Sequence, residues 1–246
     1  MKQTRIGTLA AINRYPVKSF GGEALQSSRI ESYGLYGDRS HAFIDETKEG
    51  WDRYFTARTA PAMLHYNASL SVEEPGVAVD RFPGLRISAP DGRSMKWDDA
   101  LLQEIQPLSS KKLSLLAHTP QSLDLLAVDA ASILIITDSS LRKLEALWDK
   151  PLDPLRFRAN MLLTLEDGLS DEYGWLGKQL TVGSVRLQVD EFCERCSLIT
   201  IHPESLERDP SLLRTVNEQL QLNFGVYASV KQTGQVRVGD DVYLLD

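Results

Sequence analysis

Asp190-Glu191-Phe192-Cys193-Glu194-Arg195-Cys196-Ser197-Leu198-Ile199-Thr200 holds both cysteines of the 246-residue chain, spaced Cys-x-x-Cys with a cation between them. The thiolate is the form of cysteine that attacks electrophiles and binds soft metals, and a neighbouring Arg favours it electrostatically. The spacing by itself admits three readings: two small buried residues, half of a zinc centre, or a redox pair. A zinc centre needs two further ligands, and the four histidines, His41, His65, His118 and His202, supply no second clustered pair. A thioredoxin-like pair opens a helix, whereas Ser197 to Ile201 reads as a strand. The sequence on both sides is apolar and strand-like, so the cysteines are expected at the end of a sheet strand.

The chain around this stretch is that of a globular protein, 42% hydrophobic and 25% charged. Its length allows one large domain or two small ones with a sizeable core. The formal net charge of −7 argues against a general nucleic-acid or anionic-membrane binder, which would carry an excess of Lys and Arg. There is no apolar run long enough to span a bilayer. Met1-Lys2-Gln3-Thr4-Arg5-Ile6 lacks the apolar core of a signal peptide. With only two cysteines, the expectation is a cytoplasmic protein.

Working outward from the cysteines, Leu180 to Val189 reads as a hairpin about Gly183-Ser184 that delivers Cys193 at its far end. Leu155 to Leu163 reads as extended, with Arg156, Arg158 and Asn160 on one face; buried unpaired, that polar row would be costly. Ser132-Ile133-Leu134-Ile135-Ile136-Thr137 is the continuous apolar run of a buried strand. Asp138-Ser139-Ser140 then caps an amphipathic helix from Leu141 to Trp148. This junction is either a plain helix cap or an anion site, because free N–H groups point outward at a helix start. Thr137, Asp138 and Ser139 are its candidates, with Ser139 the foremost donor. Asp209-Pro210 opens a helix over Ser211 to Leu222, and Phe224 to Ala228 and Gly234 to Leu245 close the chain as strands.

Toward the N-terminus, strand-like Ile6 to Ile12 leads into Tyr15-Pro16-Val17-Lys18-Ser19-Phe20-Gly21-Gly22, where Pro and paired Gly mark a loop that displays Lys18 and Ser19. Strand-like Ser27 to Tyr33 and the turn Gly34-Leu35-Tyr36-Gly37-Asp38-Arg39 precede a short strand, Ala42 to Asp45. Leu70 to Trp97 is broken into short strands at Glu74-Pro75-Gly76 and Pro90-Asp91-Gly92. No helix is expected before about residue 100, and Asp98 to Asp129 is read as the connection between domains. A single basic residue such as Lys18 or Arg39 is by default a solvated surface charge.

Taken in order, these segments resemble one family. Cys193-Glu194-Arg195-Cys196 followed by Ile199-Thr200 is similar to the metal-binding segment of the MOSC family, in particular the amidoxime-reducing molybdenum enzymes. Tyr15-Pro16-Val17-Lys18-Ser19, Gly37-Asp38-Arg39, Thr56-Ala57-Arg58-Thr59-Ala60-Pro61, Phe157-Arg158-Ala159-Asn160, Phe224-Gly225-Val226-Tyr227 and the terminal Val238-Gly239-Asp240-Asp241-Val242-Tyr243-Leu244-Leu245 resemble the family's motifs in the same order. The chain departs at Ala159, where the family has Pro, and at Phe192, a bulky residue that would narrow the pocket. The resemblance implies a mainly β fold with some α, an N-terminal β domain (residues 1–98) packed on a MOSC β-barrel domain (99–246) with a few peripheral helices, and a cofactor between them.

It further implies the molybdenum cofactor, Mo-molybdopterin, with Cys193 as protein ligand to the metal and centre of catalysis. Lys18, Ser19, Arg39, Arg58, Thr137, Asp138, Ser139, Arg158 and Asn160 are then expected to bind the cofactor, Tyr227 to lie near the metal, and Cys196 to be structural or supporting. The implied activity is reduction of N-hydroxylated small molecules such as amidoximes, hydroxylamines and N-hydroxylated bases. The alternative is a cofactor-binding, carrier or sulfur-transfer protein without reductase turnover. Two cysteines cannot build a four-cysteine iron–sulfur site, and there is no G-x-G-x-x-G dinucleotide fingerprint. A separate electron donor, a ferredoxin-type protein or flavin reductase, is therefore the expected partner.

Overall fold

Seven strands drawn from both ends of the chain close into one barrel in the computed structural model, which describes residues 3–71, 80–122, 126–128, 130–169 and 171–245. Around the barrel the order is Met161–Leu165, Ile133–Thr137, Asn223–Gln232, Val185–Glu194, Gln179–Val182, Asp241–Leu245 and Gln3–Arg14, which pairs back onto Met161–Leu165. Ile133–Thr137 and Met161–Leu165 run parallel; the remaining neighbours are antiparallel. Closure removes the sheet edges that would otherwise stay unpaired.

Leu180, Val182, Val185, Leu187 and Val189 enter the barrel interior at every second position, and the hairpin closes at Val182↔Val185 about Gly183-Ser184 as expected. The uninterrupted run from Ile133 to Ile136 also has a physical reason. Ile133 and Ile135 face the barrel core, while Leu134 and Ile136 pack outward against the helices, so both faces of the strand are covered. The first strand needs a glycine to close the ring: a Cβ on Gly7 would lie 2.0 Å from the carbonyl oxygen of Thr164.

Outside the barrel lie helices α2 (Asp138–Trp148) and α3 (Pro210–Leu220). They bury Leu144, Trp148, Leu212 and Val216 in one cluster, and the Trp148 indole donates to the Ser211 hydroxyl at 2.8 Å. The cap of α2 is Thr137, one residue earlier than expected, in a reciprocal arrangement with Ser140.

The N-terminal unit has its own core, centred on Phe20, Phe43, Met63, Ile87, Leu101 and Ile105. Here the expected connection over 98–129 is corrected. Asp98 caps helix α1 (Asp99–Ile105), accepting from the N–H groups of Ala100 and Leu101, and Leu113–Ala117 pairs with His41–Asp45. That leucine-rich stretch thus completes the N-terminal core, while Gln3–Arg14 belongs to the barrel. Pro90-Asp91-Gly92 forms its turn, with the Gly92 N–H donating to the carbonyl of Ala89; Glu74-Pro75-Gly76 lies outside the described residues. No helix of the described residues is long and apolar enough to cross a membrane.

Candidate functional site

Cys193 owes its position to an irregular strand. Val185, Leu187 and Val189 point into the barrel, and strict alternation would send residue 193 inward as well. The register against Asn223–Gln232 shifts between Val189 and Glu191 and again between Phe192 and Glu194. A bulge adds a residue on one strand and reverses the facing of those beyond it. Phe192 therefore packs against the barrel core and meets the Tyr173 ring at a tilt, with centroids 5.0 Å apart. Cys193 turns outward into the cluster beneath α3 and is 2% exposed. Phe192 does not line the pocket, which corrects the expectation that it narrows it.

The thiol opens onto a cleft of about 900 Å³, counting solvent at its mouth, between the N-terminal loops and the barrel. Six basic residues line it: Lys18, Arg39, Arg58, Arg156, Arg158 and Arg195. Lys18 is buried, donates to the Ala127 carbonyl at 2.9 Å, and sits over the Trp51 ring. Arg39 is tied to Asp38 and donates to the Arg158 carbonyl at 2.9 Å. The guanidinium groups of Arg39 and Arg158 lie 4.6 and 4.2 Å from the centroid of the buried Tyr15 ring. Burial pushes the Tyr15 phenol up, with Arg158 and Arg39 pulling the other way.

Ser19, Arg39 and Arg158 have φ of 72°, 48° and 53°. This left-handed region costs a residue with a Cβ on the order of 1–2 kcal/mol. Such strain persists where surrounding structure enforces it, often at ligand-binding positions.

Arg158 reaches the cleft by a route the sequence reading missed. Residues 155–163 are not one extended run. Asp153 caps a 3-10 helix over Pro154–Phe157, Arg158 ends it in the left-handed conformation, and the strand begins at Met161. Pro154 at the first helical position favours this turn. Similarly, Ser197–Thr200 is a 3-10 helix rather than a strand, with the Thr200 hydroxyl donating to the Ser197 carbonyl at 2.7 Å. Asn160 lines the cleft but also works as a brace. Its Oδ1 accepts from the Leu134 N–H at 3.1 Å and its Nδ2 donates to the Asn13 carbonyl at 3.2 Å.

Of the sequence-based candidates, Lys18, Ser19, Arg39, Arg58, Arg158, Asn160, Cys193 and Tyr227 meet in this cleft. Thr137, Asp138 and Ser139 do not line it. Thr137 donates to the fully buried carboxyl of Glu172 at 2.6 Å. Asp138 accepts from the Leu165 N–H and pairs with Arg142. Burial pushes the Glu172 carboxyl up, opposed by its hydrogen bond from Thr137.

Thr56, Arg156, Glu194 and Arg195 are among the further cleft residues absent from the candidate set. Arg195 was visible between the cysteines and Arg156 beside Arg158, but their burial was not. Both residues are 8% exposed. Arg195 donates to the carbonyls of Phe224 and Phe157 at 2.8 and 3.1 Å, and Arg156 to that of Ile199 at 3.2 Å. Arg195 Nη2 and Arg156 Nε are buried with no hydrogen-bond partner among the described residues. Desolvation pulls the Arg156 guanidinium down. Buried donors without acceptors are uncommon. Beside a buried thiol and a row of cations, they fit a polyanionic ligand that also offers a soft metal.

Known proteins resemble this chain along its length. Residues 6–125 match the family model of the MOSC N-terminal beta barrel domain and residues 122–243 that of the MOSC domain. The human mitochondrial amidoxime reducing component 2 is 27% identical over 288 aligned positions, covering 97% of this chain and 84% of that protein. The mouse mitochondrial amidoxime-reducing component 1 is 26% identical, covering 98% and 83%. A molybdenum cofactor sulfurase of Drosophila ananassae is 36% identical over 47% of this chain, which spans only 15% of that protein's length. Among solved structures, the YuaD protein of Bacillus subtilis shares the fold, with a TM-score of 0.52, 12% identity, and coverage of 99% of this chain and 97% of that one. With the two family models running together from residue 6 to residue 243 across the N-terminal unit and the barrel, the chain belongs to the MOSC family.

Proposed function

We propose that the protein is a molybdenum-cofactor-dependent reductase of N-hydroxylated compounds, supplied with electrons by a separate protein. The observation that carries this reading is the meeting of one buried thiol with six basic side chains in a single cleft. When bound, the cofactor supplies a two-electron metal centre for cleaving an N–O bond, with water as the product of the released oxygen. The chain's own residues bind and orient it. Cys193 contributes a soft thiolate ligand. Lys18, Ser19 and Arg39 would hold the phosphate-bearing end through charge-assisted hydrogen bonds, with Arg158 a further contact to the cofactor. Arg195 and Arg156 would offer their remaining donors to the cofactor, and Asn160 keeps the wall in place through Leu134 and Asn13. Leu198 and Tyr227, beside the thiol, shape the space for a small organic substrate.

The relatives aligned along nearly the whole chain are amidoxime-reducing components. The sulfurase match covers less than half of it, so reduction has more support than sulfur transfer. The two cysteines of this chain cannot hold an iron–sulfur cluster of four thiolates, which supports a separate electron donor. The test is turnover of benzamidoxime to benzamidine by the cofactor-loaded protein with a chemically reduced viologen as donor. Measurable turnover that Cys193→Ser abolishes is expected. A fully loaded wild type that leaves amidoximes, hydroxylamines and N-hydroxylated bases unchanged would refute reductase activity and favour a carrier.

A further inference from the structure

Among the described residues that line the cleft, Glu194 is the one carboxylate, set among six cations. It follows Cys193 directly, so the two Cα atoms stand about 3.8 Å apart. The residues split by environment: Cys193 is buried, whereas Glu194, the last residue of its strand, is exposed. No hydrogen bond or ion pair engages the Glu194 carboxylate among the described residues, although Arg156, Arg158 and Arg195 share the cleft with it. The guanidinium groups of Arg156 and Arg195 are directed instead at backbone carbonyls.

A carboxylate here is unfavourable for the anion that the rest of the cleft fits, since like charges repel. Its position makes electrostatic sense if a second ligand, of opposite charge, approaches the thiol from the open side. Leu198, Val128 and Ala131 line the same cleft and provide apolar contact for an organic body. We propose that Glu194 selects substrates that carry a positive charge on the organic body attached to the N-hydroxylated group, making N-hydroxylated organic cations the favoured class. This inference rests on the reductase reading above. It adds a specificity residue on the solvent side of the site, acting through charge complementarity with the substrate.

The test uses two probes of equal shape: benzamidoxime bearing a para-trimethylammonium group, and its uncharged para-tert-butyl counterpart. Turnover with a reduced viologen and equilibrium binding by calorimetry are both measured on the cofactor-loaded protein. The wild type should favour the cation by roughly fivefold in kcat/KM and in affinity, the scale of one partly exposed charge pair. Glu194→Gln should bring the ratio near one, and Glu194→Lys should invert it. A wild-type ratio near one, or a ratio that Glu194→Gln leaves unchanged, overturns the assignment. The two claims fail separately. Reduction of both probes without charge preference removes the role of Glu194 and leaves the reductase. Charge-selective binding lost in Glu194→Gln, with neither probe reduced, keeps the cation site and removes the reductase.

Discussion

At the cleft, Arg195 and Arg156 keep buried guanidinium nitrogens with no partner among the described residues. At the start of α2 the corresponding polar groups are engaged: Thr137 with Ser140 and Glu172, Asp138 with Leu165 and Arg142. From sequence, the first place is expected at a cofactor phosphate through the family resemblance, and the second reads as a helix cap or an anion site because a strand feeds a helix there. The difference lies in what is packed against them. Glu172 sits fully buried behind the α2 cap and accepts the Thr137 hydroxyl there. A helix start attracts negative charge whether it comes from a ligand or from the chain itself. The sequence around Ser139 shows the donors; only the fold shows that Thr137 and Ser140 cap one another and that Thr137 donates to Glu172.

The largest expected effect separates the two regions directly. Reversing charge with Arg158→Glu should lower the pterin retained per folded chain by more than about tenfold, since one charge-assisted hydrogen bond alone is worth roughly 1.5–3 kcal/mol. Ser139→Ala should change it less than about twofold, within the effect of a surface substitution. Equal losses from the two variants would place the cofactor at α2 after all.

A smaller effect belongs to Glu172 and concerns stability rather than binding. Its carboxyl is pushed above its ordinary value near 4.5, first by desolvation. The folded state therefore holds the proton more tightly than the unfolded state. The stabilisation is fully present below about pH 4.5 and is lost as pH rises through the raised folded value. Urea unfolding of wild type and Glu172→Gln from pH 5 to 8 should show the wild type losing stability relative to the variant as pH increases. A difference that stays flat across this range would mean that Glu172 is already ionised in the fold.

Much of the barrel is legible because the apolar run from Ser132 to Thr137 and the Gly183-Ser184 turn are local signals, and the strands they mark form as expected. The cleft was legible in part because Lys18, Arg39 and Arg158 stand in recognisable short motifs. The misread parts share a cause. Phe192 and Cys193 exchange faces through bulges, which depend on the partner strand and leave no mark in their own sequence. The turn at Pro154–Phe157 competes with an apolar run that also suits a strand, and burial of Phe157 against Phe224, ring centroids 4.3 Å apart, fits the turn. Residues 99–117 looked like a connection because their apolar partners, Phe43 and Ile87 among them, are distant in the chain.

The central claim is that this cleft holds the molybdenum cofactor with Cys193 on the metal. The direct measurement is molybdenum and pterin content of wild type and Cys193→Ser, purified from a host that loads another member of the family, with circular dichroism to confirm folding. The account predicts molybdenum and pterin in near-equal amounts in wild type, and loss of metal from the folded variant. A folded wild type with neither, or a variant that keeps its full metal content, would contradict it.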